Sequence, residues 1–162
     1  MQAIEVIRIA FRLAEHDLPL LDDMREAPLT RPNSAGGNHP LWVAGHLAFA
    51  EAGIRGVALG EASELGDFES LFAGGTTPSD DAGVYPAYDE VVRLFREQRA
   101  HTLAALDRLS DADLDRAPDA PPDMREWLPT IGQAFMLMIG HQHFHMGQVS
   151  DARRAMGKPP RF

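Results

Sequence analysis

The sequence predicts an all-α protein, a four-helix bundle in which a long crossover joins the second and third helices. Three observations carry this prediction. Apolar residues recur at steps of three and four over four separate segments, the spacing of one helix face. No stretch alternates apolar and polar residues long enough to form a half-buried strand. Clusters of proline, glycine and short polar residues, which end helices, separate the four segments. With 162 residues the chain fits a single domain, 1–162, and can bury roughly 70% of the surface its unfolded form exposes.

The first helix is read over residues 2–26 from Ile4, Ile7, Phe11, Ala14, Leu18 and Leu21, with Pro19 as a kink and Pro28 as the stop. Residues 30–37 read as loop, and Asn38 as the N-cap of a second helix from Pro40 to about Leu59. Trp42, His46, Phe49, Gly53 and Val57 share one face of it. Gly45, Gly53 and Gly56 each weaken that helix by roughly 1 kcal/mol against alanine, which points to close packing or bending. Residues 61–83 hold six acidic residues and no basic one. A connection of that length inside one domain is usually functional or a crossover, here with Phe68 and Phe72 tucked against the core. A mobile acidic loop is the plainer alternative.

Pro86 is placed in the first turn of a third helix running to Leu109, with Val91, Leu94, Phe95, Gln98, Thr102 and Ala105 down one side. Pro118, Pro121, Pro122 and Pro129 keep the next stretch out of any long helix. Thr130 then caps a fourth helix through Met156, closed by Gly157.

Composition excludes several functions. There is no cysteine, hence no disulfide, thiolate ligand or cysteine nucleophile, a usage that fits a reducing cytoplasm. Asp and Glu number 24 against 15 Lys and Arg, a net charge of -9, which repels phosphate backbones and argues against a nucleic-acid partner. No segment approaches the ~20 apolar residues a membrane span needs. Phosphate-loop, dinucleotide and Gly-x-Ser-x-Gly motifs are absent.

The chemistry concentrates in histidines. His141 and His145 are four residues apart, so their Cβ atoms lie ~5–6 Å from each other on one helix face. That face continues the apolar stripe of Ile131, Phe135 and Met138. On the second helix His46 stands between Trp42 and Phe49, where a core would ordinarily place leucine. Three buried imidazoles without partners would each cost about 1–3 kcal/mol, and a shared metal ion removes all three penalties. The plainer reading is core histidines satisfied by Gln or backbone carbonyls. His39 reads as a cap or surface residue, His16 and His143 as solvated or interfacial, and His101 as a residue bordering the inward face, a candidate for a fourth ligand or for a partner behind the ligands. The basic group Arg153, Arg154, Lys158 and Arg161 faces an acidic loop, a partner subunit or the end of the helix dipole.

The segment His-Gln-His-Phe-His-Met-Gly-Gln at 141–148, followed by Ala-Arg-Arg-Ala-Met-Gly-Lys-Pro-Pro at 152–160, resembles the C-terminal signature of the DinB-like superfamily. Asn-His-Pro-Leu-Trp-Val-Ala-Gly-His-Leu at 38–47 resembles its second-helix signature. Residues 70–78 and 106–114 are similar to its crossover and to the end of its third helix. The resemblance implies a commonly dimeric bundle and a divalent ion, zinc or nickel, held by three histidines that fall on His46, His141 and His145. It also implies activities ranging from low-molecular-weight thiol S-transfer to metal-dependent hydrolysis, and relatives with no known activity.

Three neutral imidazoles leave positions open on a divalent ion, the arrangement of a catalytic rather than a closed structural site. A hydrolase also needs a titratable group nearby. Glu51 lies about 140° round the helix from His46 and is poorly placed, and Gln98, Gln142 and Gln148 do not titrate. A thiol transferase needs less proton traffic, with Arg153 or Arg154 to meet a carboxylate of the thiol. Two further readings stand beside the enzyme: a non-catalytic, stress-associated metal-binding dimer, and a metal-free scaffold.

Overall fold

The computed structural model describes residues 2–26, 29–32 and 34–161, and all regular structure among them is helical. In chain order the helices are α1 (Ala3–Ala14), α2 (Pro19–Asp22), α3 (Pro40–Leu59), α4 (Glu69–Phe72), α5 (Tyr88–Leu106), α6 (Asp111–Leu114), α7 (Pro122–Trp127) and α8 (Ile131–Ala155). The four long ones, α1, α3, α5 and α8, are the four periodic segments of the sequence. Helix α3 packs along both α5 and α8, and α1 packs mainly on α8.

The first segment is shorter than its periodicity predicts. Helix α1 ends at Ala14, a 3-10 turn covers Glu15–Asp17, and α2 begins at Pro19. Proline has no N–H to donate, and its ring clashes with the carbonyl four residues back, so one helix cannot run through to residue 26. Pro28, expected as the stop, lies outside the described residues. At its other end α1 is capped from a distance: the Asp111 carboxylate accepts from the amides of Ala3 (3.3 Å) and Ile4 (2.9 Å), two donors with no intrahelical partner.

Helix α3 has the predicted bounds, but its N-cap is His39 rather than Asn38. With His39 extended and Pro40 at the first helical position, the His39 ring reaches the Trp42 amide at 3.0 Å. Helix α5 starts at Tyr88, so Pro86 precedes the helix instead of occupying its first turn, and it ends three residues before Leu109. The proline-rich link holds only the short helices α6 and α7. Thr130 caps α8 through the Gln133 amide at 3.2 Å, and Gly157 takes a left-handed φ of 79° just beyond its end, both as predicted.

The apolar interior falls into two main parts. One gathers Leu47, Phe95, Met146 and Val149 with Leu65 and Phe72 from the long connection, so the Phe68/Phe72 pair does lie against the core. The other joins Ile4, Ile7 and Phe11 of α1 to Phe135, Met138 and Ile139 of α8, where Phe11 and Phe135 meet edge-on at 6.2 Å. Between them sits a polar layer. Arg99 binds both oxygens of Glu51, at 2.8 and 2.9 Å, and also the side-chain oxygen of Gln142. Its guanidinium lies 4.9 Å from the Phe11 ring centroid and 5.6 Å from that of Phe95. Arg55, one turn past Glu51, donates to Gln98 and Thr102.

The basic C-terminal residues converge on one acid. Arg153 and Arg161 reach the Asp23 carboxylate at 2.8 and 3.2 Å, and Lys158 reaches its carbonyl at 2.5 Å. Burial pushes the Asp23 carboxyl upward, but these cations outweigh it and hold the group below its ordinary value.

Candidate metal centre

Helices α3 and α8 bring His46, His141 and His145 together. One ring nitrogen from each lies within 4.8 Å of the other two, the one such histidine or carboxylate trio among the described residues. His46 and His145 are each 6% exposed, while His141 is half-buried. The rings meet edge to face, with centroids 4.6–4.9 Å apart.

Each buried ring is oriented from outside the trio. His46 Nδ1 donates to the Phe72 carbonyl at 2.7 Å, which leaves the Nε2 lone pair facing the other histidines. The His46 ring also stacks on Trp42, with centroids 4.4 Å apart and an interplanar angle of 11°. His145 Nδ1 lies 3.0 Å from the Gln148 side-chain oxygen, and Asn38 donates to that same oxygen at 3.3 Å. Trp42 is held in turn by its indole N–H, shared between the Leu71 carbonyl at 3.0 Å and the Thr76 hydroxyl at 3.1 Å.

The donor set fits a divalent ion. His46 Nε2 and His141 Nε2 are 3.1 Å apart. Two nitrogens bound at ~2.0–2.1 Å and separated by a tetrahedral angle lie about 3.3–3.4 Å apart, so this pair needs only small ring movements, and the His145 nitrogen lies within 4.8 Å of both. Without an ion, His141 Nε2 must donate its proton to His46 Nε2, because the Phe72 carbonyl commits the His46 proton to Nδ1. The rings are also neutral where a metal needs them neutral. Burial lowers all three below the ordinary histidine value, and burial, together with the repulsion that protonated His145 and His46 would exert, takes His141 to about 4.

The other candidates lie elsewhere. His101 is largely exposed on α5, 3.3 Å from Glu64 and outside the trio. His16 is exposed, and exposed His143 pairs with Asp17 at 2.7 Å. His39, read as a cap or a surface residue, is the cap and is fully buried, and its second nitrogen bonds to the Ser79 carbonyl at 3.0 Å. Arg153 is occupied by Asp23 and the Pro159 carbonyl, which leaves Arg154 as the exposed arginine of the pair. Two elements were not read from the sequence. Gln148 as the partner of His145 was legible in principle, since it follows by three residues. The Phe72 carbonyl is backbone and carries no sequence signal.

Fold and site together define a helical bundle with a three-histidine cluster that could bind a metal ion. The DinB superfamily profile matches residues 12–149, a span that includes all three histidines, and the chain belongs to that superfamily. A comparison with curated proteins found no match. No helix among the described residues is long and apolar enough to cross a membrane.

The lowered values set an acid limit. In the unfolded chain the rings take up protons near 6.5, and in the folded chain His141 does so only near 4. Between those values the unfolded state binds more protons, so stability falls as pH drops from 6.5 to 4, levels off below, and gains nothing above 6.5. Urea unfolding of the metal-free protein between pH 7.5 and 4 should therefore show a steeper fall in the wild type than in His141→Asn. Equal slopes would mean that this ring does not titrate as its burial requires.

Proposed function

We propose that the protein is a metal-dependent enzyme that holds a divalent ion, zinc or nickel, on His46, His141 and His145 and acts as a low-molecular-weight thiol S-transferase: the thiol gives its proton to solvent, and its thiolate sulfur bonds to an electrophilic carbon of the substrate as the leaving group departs from that carbon. Metal-dependent hydrolysis is the second activity the ligand set supports. When bound, the ion would supply Lewis acidity and favour the deprotonated form of a thiol or water entering an open position. The chain itself supplies three neutral donors, a ring orientation set by Phe72 and Gln148, and the stacked Trp42 that walls one side.

The observation that favours thiol transfer is what surrounds the ligands. Outside the trio, His46 and His145 bond to a backbone carbonyl and a side-chain amide, and neither can act as a general acid or base. Glu51, the acid nearest in sequence on the ligand helix, is consumed by Arg99. Hydrolysis would need a proton carrier, and none of these three groups is one. The exposed Arg154 is the arginine left to meet a thiol's carboxylate.

Cobalt substitution tests this reading. Adding a low-molecular-weight thiol to the cobalt protein should produce a thiolate-to-metal absorption band, absent in His46→Ala. Turnover of an ester without any thiol would favour hydrolysis. A spectrum indifferent to thiol, with no turnover, would leave a non-catalytic metal-binding protein.

We also propose that the protein is a cytoplasmic homodimer, a reading supported by family membership and by exposed Leu13, Met136 and Phe144 on the outer sides of α1 and α8. Sedimentation at micromolar concentration should give twice 17.8 kDa, and a single monomeric species would end the proposal.

A further inference from the structure

We propose that Gly45 is a positioning residue for the metal centre, acting through Phe72 to keep a backbone carbonyl against His46. The proposal rests on the metal-centre reading above and deepens it. An ideal Cβ at position 45 would lie 2.2–2.5 Å from three atoms of the Phe72 ring, far inside any real contact. That ring has nowhere to swing. It is 2% exposed, stacks on Tyr85 at 5.6 Å and has Phe68 at 6.0 Å. A side chain at position 45 therefore displaces the end of α4 rather than the ring alone.

The displaced backbone includes the Phe72 carbonyl, which His46 Nδ1 needs at 2.7 Å to keep its Nε2 lone pair on the metal side. The same stretch of chain offers two more carbonyls to α3: Leu71 to the Trp42 indole at 3.0 Å, and Ser79 to His39 at 3.0 Å. His39, Trp42 and His46 follow one another at intervals of three and four, so they form one row at the start of α3. The long connection is fastened along that row, and Gly45 is the gap that lets it close. Position 53, on the same helix, is different: a Cβ there meets nothing within 4 Å.

Two substitutions separate positioning from helix chemistry. Alanine is a better helix former than glycine, so Gly45→Ala and Gly53→Ala both favour α3 intrinsically, and only the first meets Phe72. In tag-free protein, Gly45→Ala should weaken Zn2+ binding about 10–100-fold, the range for losing the partner that orients a ligand. Nitrogen–proton correlation spectra of the metal-free protein should show His46 leaving its Nδ1–H form in Gly45→Ala and keeping it in Gly53→Ala. Unchanged Zn2+ affinity with an unchanged His46 tautomer would overturn the proposal.

Should Gly45→Ala not fold, the pair Phe72→Ala and Gly45→Ala/Phe72→Ala decides. With the ring gone the double variant should fold and bind Zn2+ as the Phe72 variant does. Failure of the double variant alone would show that something other than Phe72 excludes the side chain. A wild type that binds no Zn2+ would sink the metal-centre reading, while the His46 tautomer still tests the role of Gly45.

Discussion

Glu51→Ala is expected to destabilise the protein by about 3–5 kcal/mol, because it strands the Arg99 guanidinium in the middle of the bundle. Both partners are buried, with side chains 4% exposed, and Arg99 spends two nitrogens on the Glu51 carboxylate. Removing the acid leaves a charge whose remaining named partner is the Gln142 amide oxygen. For a domain of this size the loss corresponds to roughly 6–20 °C in melting temperature. The pair itself contributes much less than this figure suggests, since most of the cost is that of an orphaned charge. Replacing both residues, as Glu51→Leu/Arg99→Met, should recover most of the loss. It should not recover all of it, because Gln142 then keeps an acceptor without its donor. Chemical denaturation of the three variants checks the ordering. A single Glu51→Ala variant within 1 kcal/mol of wild type would mean that Arg99 finds water or a new partner.

The second large effect concerns the ion. With Zn2+ at about 100 times its dissociation constant, binding should raise wild-type stability by about 2.7 kcal/mol, or roughly 5–11 °C. His46→Ala removes one of three donors and also unhooks the long connection, since the Phe72 carbonyl loses its proton donor. A hundredfold loss of affinity would cut the gain at the same Zn2+ concentration to about 0.4 kcal/mol. Thermal melts with and without Zn2+ read this directly. His143→Ala is the matched control, because that ring is exposed and pairs with Asp17. An equal Zn2+-dependent shift in wild type and His46→Ala would remove His46 from the ligand set.

The histidine cluster was legible in the sequence because its residues break a local rule. Histidine in an otherwise apolar stripe is a conflict between pattern and chemistry, and such conflicts gather at functional positions. The spacing of His141 and His145 added geometry, and His46 showed the same conflict on another helix. The four long helices were legible for the complementary reason, since their periodicity is strong and tertiary packing agrees with it. The start of α3 went astray because a neighbouring side chain decides it. His39 displaces Asn38 as a cap because its ring, fixed by the Ser79 carbonyl, reaches the Trp42 amide.

The polar layer was harder to foresee. Glu51 and Arg99 are 48 residues apart, and nothing local links them. A hint was present: Glu51 and Arg55 lie one turn apart inside a nearly uncharged helix, and Gln98 and Thr102 share the inward side of α5. Charged groups on an apolar helix need partners on its neighbour, and that reasoning would have paired them. The convergence of the C-terminal cations on Asp23 had no such signal, since it joins residues more than a hundred apart.

The central claim is that three imidazoles from α3 and α8 share one cation. Elemental analysis of tag-free protein, purified without chelators, tests it most directly. The account predicts close to one zinc or nickel ion per chain, lost in His141→Ala. Metal well below one ion per chain, at the same level in wild type and His141→Ala, would contradict it.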